Sequence, residues 1–103
     1  MMATRLCALA DLSPGVPLRV ELDDLEVAVV KVDDEVFAIE DVCSHADIPL
    51  SEGDVEDCTI ECALHGSRFD LRTGKPTGPP ANRPVPVFAT SVIDGDVYAE
   101  LAT

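Results

Sequence analysis

The chain has 103 residues, enough for one domain with a modest core that a bound metal would help to stabilise. Its 20 acidic residues against 7 basic ones give a net charge of -13, which excludes nucleic acid and anionic membrane surfaces as partners. Hydrophobic residues make up 47%, too many for a disordered acidic tail, so the chain reads as a globular protein with an acidic surface.

In chain order, the first stretch, Met1–Asp11, has a single early Arg and an acidic residue directly behind a short apolar patch. It is read as carrying no secretion signal. The longest clean aliphatic run is Val27–Val30, far short of the roughly 20 residues of a spanning helix, so the expected location is the cytoplasm. Arg19–Leu22 alternates as a half-buried strand does, and Leu25–Val32 is apolar enough for a strand buried on both faces. Glu35–Ile39 follows a tight turn at Asp33-Asp34 and completes a hairpin. Thr59-Ile60 supplies a short strand ahead of Cys62. Val85–Ile93 and Asp96–Leu101 flank Asp94-Gly95, the strongest short hairpin signal in the chain. No segment keeps helical periodicity over ten residues, and the fold class is expected to be all-β. Two stretches do not read as strand: Cys43–Leu50, and the proline-rich Gly74–Pro86, which is stiff and extended and serves as either a connector or a lid.

Four cysteines occur: Cys7, Cys43, Cys58 and Cys62. In a cytoplasmic chain, reduced or metal-bound thiols are expected rather than two disulfides. Both histidines sit beside cysteines, in Cys43-Ser44-His45 and Cys62-Ala63-Leu64-His65, and the sixteen residues Ala46–Glu61 separate the two pairs. Two soft thiolates and two imidazoles form a complete four-ligand set, and each pair fits on one loop. Structural zinc could use the same donors. However, zinc-finger spacings group the cysteines apart from the histidines and add a basic helix, which this sequence lacks. A nucleophilic Cys-His dyad would use one pair and leave the other unexplained.

Cys-Ser-His, sixteen residues, then Cys-Ala-Leu-His-Gly-Ser-Arg-Phe-Asp resembles the Rieske [2Fe–2S] motif, C-x-H … C-x-x-H-G. The motif region runs from about residue 41 to 80, and the small acidic chain is similar to the soluble Rieske-type ferredoxins that serve non-haem iron oxygenases. The resemblance implies a Rieske fold of antiparallel sheets. It also implies one domain over residues 1–103, with a cluster-binding part at about 41–80 inserted in a β base. It places one [2Fe–2S] cluster on Cys43, Cys62, His45 and His65, with the cysteines on the inner iron and the histidines on the outer one. Gly66 and Ser67 stand around it, Gly66 letting the backbone come close to the sulfides and Ser67 supplying a hydroxyl to a sulfide. Gly78-Pro79-Pro80-Ala81 matches the family's shielding loop.

High-potential Rieske proteins carry a disulfide between the cluster loops. Ile48 and Leu64 occupy those positions here, and Phe69 stands where those proteins place a Tyr hydroxyl against a cysteine sulfur. Fewer hydrogen bonds to sulfur lower the potential, so a value toward the low end of roughly −150 to +300 mV is expected. Asp47 and Asp70 are either nearby charges opposing reduction or solvated loop residues. Cys7 and Cys58 lie outside both loops and read as small buried hydrophobes.

The implied function is a one-electron carrier rather than an enzyme: the glycines form no G-x-G-x-x-G, and the chain has no room for a substrate domain. The implied partners are a flavin-dependent, NAD(P)H-linked reductase and a non-haem iron oxygenase or similar acceptor, met by a monomer through transient acidic docking. The alternative is an accessory redox or interaction protein of iron–sulfur cluster assembly.

Overall fold

Short β-branched segments punctuated by turns give ten antiparallel strands in the computed structural model, which describes residues 3–22, 25–43, 48–63, 66–78 and 83–100. The strands are β1 (Ala3–Ala8), β2 (Leu18–Glu21), β3 (Glu26–Val32), β4 (Glu35–Glu40), β5 (Val55–Glu56), β6 (Thr59–Glu61), β7 (Arg68–Asp70), β8 (Val87–Phe88), β9 (Thr90–Ile93) and β10 (Asp96–Glu100). They form three sheets, ordered β1-β10-β9, β2-β3-β4-β8 and β5-β6-β7. The all-β expectation holds. Among the described residues no helix is long and apolar enough to cross a membrane.

β3 explains the architecture. Its Val27, Ala28, Val29 and Val30 are all fully buried. Because side chains alternate across a strand, Val27 and Val29 join a base core with Leu6, Leu12, Ala38, Val97 and Ala99. Ala28 and Val30 face the other way, into a second core with Ile39, Leu50, Ile60, Phe69 and Leu71. The middle sheet is therefore covered on both faces, which is why Leu25–Val32 reads as continuously apolar.

The expected hairpins form. Val32 pairs with Glu35, and Asp94 and Gly95, with φ of 52 and 79°, make the two-residue β9–β10 turn. A third hairpin, β5–β6, uses Asp57 and Cys58 at φ 52 and 65°, a left-handed pair with no glycine to announce it.

One expectation needs correction. Val85–Ile93 is not one strand. β8 pairs with β4 in the middle sheet, whereas β9 pairs with β10 in the base sheet. The chain changes sheets at Ala89, and the Thr90 hydroxyl fastens the corner by donating to the Val36 carbonyl at 2.7 Å. Ala3–Ala8, not expected as a strand from the sequence, is one because it pairs along β10. A register shift between Arg5 and Cys7 lets consecutive residues Leu6 and Cys7 both turn inward.

Candidate metal centre

Cys43 follows the end of β4 and Cys62 follows the end of β6. Their side chains are 3% and 0% exposed, and both belong to the second core, under β3, with Leu50, Ile60 and Phe69. Each cysteine opens a loop that its own backbone closes. The Cys43 N–H donates to the Ile48 carbonyl at 2.9 Å. The Cys62 N–H donates to the Ser67 carbonyl at 2.6 Å, and the Gly66 N–H returns to the Cys62 carbonyl at 3.0 Å. Cys62, Gly66 and Ser67 thus lie just beyond the last strand pair of the β6–β7 hairpin, Glu61 with Arg68. Gly66 adopts φ +77°, and the nearest atom to a Cβ there would be Glu61 Oε2 at 3.4 Å. The left-handed turn is thus what this chain shows in favour of glycine at Gly66. Ser67 is buried.

The segments that flank the two loops approach each other closely. A Cβ on Gly53 would lie 1.6 Å from the Glu61 carbonyl oxygen, so the 3-10 turn Leu50–Glu52, just past the first loop, lies directly against the strand that leads into Cys62. The Glu61 N–H also donates to the Asp54 carbonyl at 2.8 Å. In the sequence, Glu52-Gly53-Asp54 carries a turn signal and no sign of this approach.

The first residues of the proline-rich segment pack along β7. Pro76 bridges to Phe69, and the Thr77 N–H donates to the Arg68 carbonyl at 2.8 Å, so residues 75–77 run back along β7. The Val85 N–H then donates to the Gly74 carbonyl at 2.8 Å, joining the two ends of the segment. Such a closed loop is more than a straight connector. Pro79, Pro80 and Ala81 of the expected shielding loop lie outside the described residues, as do His45, Asp47 and His65.

Charge near these loops is tied down. The buried carboxylate of Asp41 meets Arg19 Nη1 at 2.9 Å, the Ser51 N–H at 2.7 Å and the Ser51 hydroxyl at 2.6 Å. Arg68 lies between Glu56 and Glu61 at 3.5 and 3.8 Å. Asp70 accepts the Arg72 N–H at 2.7 Å, so it caps its own turn. Neither the Asp41 clamp nor the Gly53 approach was foreseen. An isolated Asp or Gly carries no sign of a partner ten residues away or on another strand. Cys7 packs in the base core and Cys58 in the second core. Burial pushes both thiols above the ordinary value of 9.0, as expected for small buried hydrophobes.

Comparisons with known proteins give the class. Residues 2–89 match the Rieske [2Fe-2S] domain. The chain is 43% identical over 101 residues to the ferredoxin component of biphenyl 2,3-dioxygenase from Rhodococcus jostii strain RHA1, covering 98% of this chain and 94% of that one. The ferredoxin of carbazole 1,9a-dioxygenase from Nocardioides aromaticivorans IC177 superposes with a TM-score of 0.91 at 39% identity, covering 96% of this chain and 97% of that one. A chain from a complex of reduced oxygenase and oxidized ferredoxin in carbazole 1,9a-dioxygenase matches at 38% identity and a TM-score of 0.89, covering 94% of this chain and all (100%) of that one.

The chain belongs to the Rieske [2Fe-2S] family, among the ferredoxin components of dioxygenase systems. It is an electron-transfer protein rather than a catalytic subunit, with one Rieske cluster per chain. The donor set fits that group: two buried thiols stand at the mouths of two backbone-closed loops in one apolar core, and soft thiolates suit iron–sulfur clusters.

Proposed function

We propose that Cys43 and Cys62 bind the inner iron, that His45 and His65 bind the outer iron, and that the chain carries single electrons from a flavin-dependent, NAD(P)H-linked reductase to a non-haem iron oxygenase. The burial of both cysteines in one core, each opening its own closed loop, is the observation that carries the ligand assignment. When bound, the cluster supplies a one-electron site whose potential depends on the hydrogen bonds and charges around it. The chain's own contribution is to exclude water from the cysteine side with Leu50, Ile60, Phe69 and Leu71. Ser67 is buried, its carbonyl accepting the Cys62 N–H, and is the candidate hydroxyl donor to a sulfide, while Gly66 adopts a left-handed backbone conformation. The whole chain serves as one Rieske domain, with residues 41–80 forming the cluster-binding part on a β base.

The oxygenase acceptor is supported by the solved ferredoxin–oxygenase complex of a relative, and the names of the relatives favour this reading over iron–sulfur cluster assembly. A monomer in the cytoplasm suits a shuttle that must dissociate after each transfer.

Electron paramagnetic resonance of the dithionite-reduced protein tests the ligand set. The expected signal is rhombic, with an average g-value below that of all-cysteine [2Fe–2S] clusters. Replacing Cys43 or Cys62 with Ser should abolish that signal, and replacing His45 or His65 with Cys should move it toward the all-cysteine type. A wild-type signal in any of the four variants overturns the assignment of that residue. The partners are tested by following the cluster's visible absorbance. It should bleach with NAD(P)H only when a flavin reductase is present, and recover on adding oxygenase with its substrate and O₂. Absence of recovery removes the oxygenase acceptor.

A further inference from the structure

Among the described residues, Asp41 is the only buried acid. It lies two residues before Cys43 and ten before Ser51, and its carboxylate gathers both ends of that stretch. Oδ1 accepts the Ser51 N–H at 2.7 Å. Oδ2 accepts the Ser51 hydroxyl at 2.6 Å and Arg19 Nη1 at 2.9 Å. Ser51 belongs to the 3-10 turn Leu50–Glu52 and Arg19 to β2, so one side chain ties the first loop to the middle sheet and to itself.

The fold does not need a charge at this point. Leu50, beside Ser51, is already fully buried in the second core. An apolar pair is commonly as stable as a buried ion pair, or more stable. What a carboxylate adds is direction: three short bonds fix the loop base in a way that apolar packing does not.

We propose that Asp41 is a positioning residue for the cluster, clamping the base of the loop so that Cys43 is held in one geometry. The proposal rests on the ligand assignment above. Arg19 also meets Glu21 at 3.2 Å and Glu26 at 3.9 Å, so removing the Asp41 carboxylate leaves it partnered and the variants can fold.

The test uses the cluster-loaded protein. Three quantities are measured: the rate at which cluster absorbance bleaches in excess EDTA, the line widths of the reduced paramagnetic spectrum, and the melting temperature. Asp41→Ala is expected to bleach about tenfold faster or more, as loss of hydrogen bonds to a charged group implies, with broadened lines. Asp41→Asn and Ser51→Ala should fall between it and wild type, and Ser51→Thr, which keeps the hydroxyl, should behave as wild type. Thr90→Val removes a bond of similar length at the sheet corner. It should lower the melting temperature while leaving bleaching and line widths unchanged. If Asp41→Ala bleaches no faster than Thr90→Val, the carboxylate is a fold element only and the proposal fails. Should Asp41→Ala not yield loaded protein, wild-type bleaching and line widths in both Asp41→Asn and Ser51→Ala overturn it equally. Cys43→Ser separates the two readings: a retained Rieske signal there sinks the ligand assignment, whereas a lost signal together with wild-type Asp41 variants sinks the clamp alone.

Discussion

Gly74 has no room for a side chain. A Cβ there would lie 2.0 Å from the Val85 carbonyl oxygen, and its φ is +77°. Gly15 has the same φ with open space around it. Gly15→Ala should therefore cost only the left-handed penalty of about 1–2 kcal/mol. Gly74→Ala adds a backbone clash and should cost about 3 kcal/mol or more; chemical denaturation compares the two, and equal losses would mean that the Gly74–Val85 approach relaxes freely. Phe69 is fully buried in the core that holds both site cysteines and has no hydroxyl to offer sulfur. Phe69→Tyr should raise the potential by about 40 mV, the one-electron equivalent of a hydrogen bond worth about 1 kcal/mol to the reduced form. Voltammetry reads it, and an unmoved potential would place the ring out of reach of a thiolate. The thiols of Cys7 and Cys58 are pushed up by burial. The unfolded chain loses these protons near the ordinary 9.0 while the folded chain still holds them, so stability is full below about pH 9 and falls as pH rises above it. Cys7→Ala should be less stable throughout but lose stability less steeply as pH rises above about 9. An unchanged slope would exclude Cys7 as a source.

At the scale of elements, β3 divides the molecule. Val29 faces the base core and Val30 the core that holds the site cysteines. Truncating either to Ala removes similar volume and should cost about 2 kcal/mol in denaturation. Only Val30→Ala should also speed bleaching of the cluster by a chelator; equal bleaching in both would show that the two cores open as one unit. The strand pattern and the Asp94-Gly95 turn were legible in the sequence because they are local: period, β-branching and turn chemistry act within a few residues. The split of Val85–Ile93 at Ala89 was not legible, since both halves carry the same strand-forming chemistry and only their different partners, β4 and β10, separate them. β1 was missed for the same reason, as its bulge and its pairing with β10 are long-range.

For the whole molecule, the net charge of -13 makes salt dependence the test of how it meets partners. Electron transfer to a basic partner should slow by about tenfold or more as salt rises from about 0.01 to 0.5 M, as steering is screened. A rate indifferent to salt would leave the acidic surface as a solubility device. The sequence by itself determined the ligand candidates, because four soft and imidazole donors in two tight pairs carry their chemistry wherever the chain places them. It determined the all-β class through local period and turns. Only the tertiary structure decided how the segments around the site are anchored: Gly53 pressed against Glu61, Asp41 reaching Ser51 and Arg19, and Val85 closing on Gly74. These are contacts between residues distant in sequence. Each depends on where the middle sheet sets the backbone, and neither period nor composition carries that information.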